Sequence, residues 1–85
     1  MVSTNALASP LANLLDMESY REQRSHVFQS SQSLHWFLRN HRDDLIDAGA
    51  LIYIAGRKKI EPSRFDECVL AIGKRTAEGY RKIAA

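Results

Sequence analysis

The hydrophobic positions of this chain change period twice. On a wheel of about 100° per residue, Leu34, Phe37, Leu38, His41 and Leu45 fall within a stripe about 100° wide. That stripe predicts a helix capped by Ser30 or Ser31, with Gln32, His35, Trp36 and Arg39 on its outer side. Continuing the same helix would place Asp43 beside Arg39. The outward-facing part is therefore expected to end near Asn40, with Arg42 to Ala48 turning away as a last helical segment. Gly49 then fits the left-handed position that ends a helix. Leu51-Ile52-Tyr53-Ile54 is a run of strand formers. Gly56 suits a tight turn, and Lys58 to Ile60 returns as a second strand. Helical spacing resumes at Phe65, Val69 and Ile72, with Cys68 beside them, behind a Pro62 placed where a helix begins.

The N-terminal part is less regular. Ser9-Pro10 could open a short helix that sets Leu11, Leu14 and Leu15 on one face. Asp16 is a second cap candidate, predicting a helix from Met17 to Arg24 with Tyr20 as its core anchor. Ser25 to Ser30 reads as a connection longer than a tight turn. Gly73 is expected to end or loosen the last helix. Beyond it lies a basic tail, either a helical extension or a frayed arm. The division expected is a flexible segment 1–15, a folded domain 16–75 and a basic tail 76–85.

Eighty-five residues make one domain, and 45% hydrophobic content suffices for a core without disulfides or metal. The single cysteine, Cys68, excludes an internal disulfide and a cysteine-rich zinc site, and reads as a packing thiol. No apolar run approaches a membrane span, and the N-terminus lacks the pattern of a secretory signal, so a cytoplasmic protein without membrane association is expected. Charge is uneven. Residues 1–20 carry −2, whereas residues 21–85 hold all 12 basic and 8 of the 10 acidic residues, a bias that permits nucleic-acid binding.

Catalysis is not expected. His26, His35 and His41 do not pair at metal-ligand spacing with a carboxylate on the same face. Asp43 and Asp44 point in different directions, no serine has a base with an orienting partner, and no glycine loop could cradle phosphate. No cofactor is implied.

The order of parts carries a resemblance. Ser33-Leu34-His35-Trp36-Phe37-Leu38-Arg39, then Leu45 to Leu51, Gly56-Arg57 and Arg64-Phe65, is similar to the small excisionase-like winged-helix proteins of bacterial mobile elements, which are related in architecture to the MerR-type DNA-binding domain. The resemblance covers about residues 16–75. It implies a mainly α fold with a two-stranded β wing, a winged helix-turn-helix. It also implies double-stranded DNA as partner, with an integrase or further copies of the chain alongside. The role would be that of a recombination directionality factor or a small transcriptional regulator.

In such a site Gln32 can pair with adenine and Arg39 with guanine. Ser31 and Ser33 at the helix start can contact phosphate, and His35 can donate to phosphate or a base. Arg57, Lys58 and Lys59 would lie against the backbone or in the minor groove. The same residues could instead be a solvated helix face and a charged hairpin tip. The rival reading is a protein-interaction module, an adaptor or anti-activator, in which Trp36, Tyr53 and the C-terminal helix dock a protein. Trp36, off the main stripe, either packs against the N-terminal segment or marks a partner surface.

Overall fold

Local capping chemistry sets where each helix starts. In the computed structural model, which describes residues 11–84 and the side chains of residues 11–81, helix α1 spans Met17–Gln23. Asp16 caps it by accepting from the Ser19 amide at 2.8 Å. Helix α2 spans Ser31–Asn40, and Ser30 and Ser33 exchange hydrogen bonds across its first turn in a capping box. The chain breaks at His41 (φ −129°, ψ 26°) and restarts as α3, Arg42–Asp47. The Asn40 side-chain Nδ2 donates back to the Trp36 carbonyl at 2.7 Å, helping to close α2 there.

Helix α3 ends as expected at Gly49, whose φ of +75° suits glycine. The Gly49 amide bonds Ile46 and the Ala50 amide bonds Leu45, the paired bonds of a Schellman ending. Leu45 and Ala50 are both fully buried, which adds the apolar contact typical of that ending.

Strands β1 (Leu51–Ile54) and β2 (Arg57–Ile60) form an antiparallel hairpin. The pairs are Leu51 with Ile60, Ile52 with Lys59, Tyr53 with Lys58 and Ile54 with Arg57. The turn residues Ala55 and Gly56 both have positive φ, 53° and 78°, as in a type I′ turn. Left-handed geometry costs alanine about 1 kcal/mol. Ala55→Asn is therefore expected to raise stability by about 0.5–1 kcal/mol and the melting temperature by several degrees, read by scanning calorimetry. An unchanged or lower melting temperature would refute the strained turn.

Helix α4 runs Pro62–Ala84, with Pro62 in its first position. The Glu61 carboxylate accepts from the Arg64 amide at 2.8 Å, and the Glu61 carbonyl accepts from Phe65. Gly73 neither ends nor loosens this helix. A helical glycine costs about 1 kcal/mol against alanine, which the uninterrupted backbone ladder absorbs. The tail from residue 76 to residue 84 is thus helical extension.

The expected helix through Leu11, Leu14 and Leu15 is corrected. Residues 11–13 form a turn, and Leu15 is extended, bridging Ile60. Its amide bonds the Ile60 carbonyl at 2.9 Å, and the Ile60 amide bonds the Leu15 carbonyl at 2.7 Å. Ile60 is fully buried, and its backbone groups point away from β1, so they need an internal partner. The Ser9-Pro10 start lies outside the described residues.

The core joins Tyr20, Phe28, Leu34, Leu38, Leu45, Ala50, Leu51, Ile60 and Phe65. Phe37 and His41, expected in the buried stripe, are half-buried, their rings 4.7 Å apart at the edge of that core. Cys68 packs partly against the core, and burial pushes its thiol up, as befits a packing residue. The result is mainly helical, with a two-stranded antiparallel sheet between α3 and α4.

One polar cluster ties α1 to α4. The buried Tyr20 hydroxyl donates to Asp66 at 2.6 Å, and Arg24 grips the same carboxylate through two nitrogens at 2.8 and 2.6 Å. The Arg24 bonds foremost, then the Tyr20 hydroxyl, hold the Asp66 carboxyl below its ordinary value, against the effect of burial. Stabilisation from a lowered carboxyl is complete above the unfolded value and lost as pH falls through the folded one. Melting temperature should therefore fall with acidification below about pH 4. Asp66→Asn should flatten that fall and cost about 1 kcal/mol at neutral pH, a figure reduced for the solvent reaching this pair. An Asp66→Asn melting profile parallel to wild type from pH 7 to pH 2 would refute the assignment.

Candidate nucleic-acid interface

The period-2 alternation of a strand decides which hairpin cation faces the helices. Lys58 pairs with Tyr53 and shares a face with the buried pair Leu51 and Ile60. Lys59 and Arg57 lie on the other face, with Ile52 and Ile54. The three consecutive basic residues therefore do not form one patch. Lys59 is half-buried and close enough to the Asp16 carboxylate to feel its charge. Arg57 stands exposed next to the turn.

Lys58 turns toward α2. It shares an open cleft of about 260 Å³ with His35, Leu38 and Arg39 of α2, Arg42 of α3, and Leu51 and Tyr53 of β1. The floor is apolar and the rim is basic. The Arg42 guanidinium sits 5.8 Å from the centre of the Tyr53 ring, a cation–π contact.

The ion pairs described in the chain lie elsewhere: Arg21 with Glu18, Arg24 with Asp66, Arg75 with Asp44, and Arg81 with Glu78. Arg39, Arg42 and Lys58 belong to none of these pairs. These three cations stand on adjoining elements, and Arg39 and Arg42 also share a shallow pocket with Asp43 and Asp44. The break at His41 ends the outward face of α2 at Asn40, although Asp43 still lines a shallow pocket with Arg39.

Around the outer face of α2, His35 and Arg39 occupy the flank nearest the hairpin. Gln32 lies between the flanks, exposed. Trp36 lies about 60° beyond Arg39, toward α4. It is 57% exposed and lines a groove with Val27, Phe37, Ile72 and Tyr80. Packing of Trp36 against residues 1–10 of the N-terminal segment lies outside the described residues.

Ser31 and Ser33 stand apart from this cleft. The Ser31 hydroxyl donates to the Glu18 carboxylate at 2.8 Å, and the Ser33 hydroxyl donates to the Ser30 carbonyl at 2.7 Å. Arg21 and then Ser31 hold the Glu18 carboxyl below its usual value, so a negative charge already sits at the start of α2. A phosphate there would meet like charge.

Arg42, which the sequence groups with the segment turning away, begins that separate helix and also lines this cleft. Residues 11–84 contain no helix long and apolar enough to cross a membrane. Comparison with known proteins found no matching family model, no matching curated protein and no matching solved structure.

Proposed function

We propose that this chain is a small winged helix-turn-helix DNA-binding protein, with α2 as the recognition helix and β1–β2 as the wing. The observation that carries the reading is the cleft in which His35, Arg39, Arg42 and Lys58 converge from three elements without belonging to any described ion pair. An α-helix fits the major groove of B-DNA, where arginine pairs with guanine and glutamine with adenine. Arg39 and Gln32 are assigned to base edges, and His35, Arg42 and Lys58 to phosphates or base edges beside them. Arg57 at the hairpin tip is assigned to the backbone or minor groove. Ser31 and Ser33 take no part in this assignment, because their hydroxyls are engaged within the chain.

The role that the resemblance implies is that of an accessory factor of a mobile element, acting in excision or in transcription. Position separates the two: binding at an attachment site indicates a directionality factor, and binding at a promoter a regulator. The alternative, an adaptor or anti-activator module, draws on the exposure of Trp36 beside other apolar side chains.

The test is fluorescence anisotropy at two salt concentrations, with random duplexes and with duplexes flanking the gene. Specific binding to flanking DNA that weakens steeply with salt supports the proposal. Absence of binding even at low salt discards it and leaves the interaction module.

A further inference from the structure

Helix α4 outruns the body that packs on it. Phe65 and Ile72 are buried, but every residue from Gly73 to Arg81 is exposed. The uncharged sector that buries the first half nevertheless continues along the second. At about 100° per residue, Val69, Leu70, Ile72, Gly73, Thr76, Ala77, Gly79 and Tyr80 occupy one half of the circumference, together with Asp66, which is paired with Arg24. Glu67, Lys74, Arg75, Glu78 and Arg81 occupy the other. A stripe this wide, uncharged from Val69 onward, is the pattern of a helix that faces a core, yet beyond Ile72 the described residues supply none.

The surface beside this sector is also largely apolar, with Arg24, Asp66 and Lys74 among the residues of the larger groove. Two open grooves of about 620 and 430 Å³ flank α4 and share Val27, Phe28, Val69, Gly73 and Ala77. Around them Val27 is 48% exposed, Trp36 57%, Leu70 61% and Tyr80 69%.

We infer that this face is covered by a second copy of the same chain, the two α4 helices pairing antiparallel about an axis near Thr76 and Ala77. The relief is self-complementary. Leu70 and Tyr80 project, whereas Gly73 is small, and a methyl group built on it would meet nothing within 4 Å. About that axis each Tyr80 lies over the partner's Gly73, and Val27 and Trp36 flank the incoming helix.

The area is sufficient. An aromatic side chain contributes about 150–250 Å² when buried, so Trp36 and Tyr80, more than half open, with Leu70 and Val27, offer roughly 400 Å² per copy. Doubled, and with the helix surface between them, this reaches about 1,200 Å², the lower end for a specific interface. From Val69 onward the sector itself brings no like charges together across the axis; the charged residues lining the larger groove are Arg24 and Asp66, which pair with each other, and Lys74. The inference stands on α4 and the apolar side chains beside it and does not depend on DNA binding.

Sedimentation velocity of the full chain without DNA, from about 1 to about 100 μM, tests it. The emission of Trp36, the single tryptophan, is followed in parallel. Wild type should shift from monomer to dimer across that range while the emission moves to shorter wavelength. Tyr80→Lys and Leu70→Lys, both at exposed positions, should keep the circular dichroism of wild type and dimerise at least about 10-fold more weakly. In a Cys68→Ala background, Ala77→Cys near the axis should form a disulfide-linked dimer and Leu70→Cys should not, because antiparallel pairing separates the two copies of residue 70. A wild-type monomer at the highest concentration overturns the inference and leaves the face to a different protein. So does a dimer indifferent to Tyr80→Lys, or equal cross-linking at residues 70 and 77.

Discussion

Phe65→Ala should bring the domain to the edge of unfolding. Phe65 is fully buried, and its ring lies 4.7 Å from Tyr20 and 6.1 Å from Phe37, centre to centre. It is the point at which α1, α2 and α4 meet. Truncating a buried phenylalanine costs about 3–5 kcal/mol, because transfer energy is lost and the cavity closes only partly. At roughly 0.05–0.15 kcal/mol per residue, a domain of this length has about 4–13 kcal/mol in all. Each kilocalorie is about 4–8 °C of melting temperature at this size, so a fall of at least about 12 °C is expected by circular dichroism or calorimetry. Ile46→Ala, at a position 43% exposed, is the matched control and should change stability by less than about 1 kcal/mol. Similar shifts for the two variants would mean that Phe65 is not the centre of the core.

Most element boundaries were legible because they rest on chemistry within a few residues. Asp16, Ser30, Gly49, Gly56 and Pro62 each act through a backbone group or angle at or near their own position, and each sits where its residue type predicts. Positions set by distant partners were harder to read. Leu15 was read as helical because its spacing from Leu11 suits a helix. It is extended because Ile60, 45 residues later, has buried backbone groups to satisfy. Phe28 lay in a stretch read only as a long connection. It is buried because Tyr20 and Phe37 offer it rings at 6.4 and 5.5 Å. The low helix propensity of Gly73 is overridden by the helix around it. The hairpin cations differ in kind: their alternation is local and readable, and adjacency in sequence does not put Arg57, Lys58 and Lys59 on one face of a strand.

That alternation yields the sharper test of the cleft. Arg39→Ala combined with Lys58→Ala removes one candidate base contact and one candidate phosphate contact from the same rim. A bidentate base contact carries about 1–3 kcal/mol of discrimination. Each lost phosphate contact lowers the slope of log affinity against log salt by about 0.9. The double variant should therefore bind its specific duplex roughly 30-fold or more weakly, with a shallower salt slope and reduced preference for the correct sequence. Lys59→Ala removes the same charge as Lys58→Ala from the adjacent residue, but from the opposite face of the hairpin. It should change affinity less than about threefold at the same salt. Net charge falls by one in either single variant, so a general electrostatic role for the chain's basic residues would weaken binding alike in Lys58→Ala and Lys59→Ala. Equal losses would reduce the cleft to a bystander in diffuse attraction. A loss confined to Arg39 and Lys58 would make the DNA-facing surface the one on which α2 and the hairpin converge.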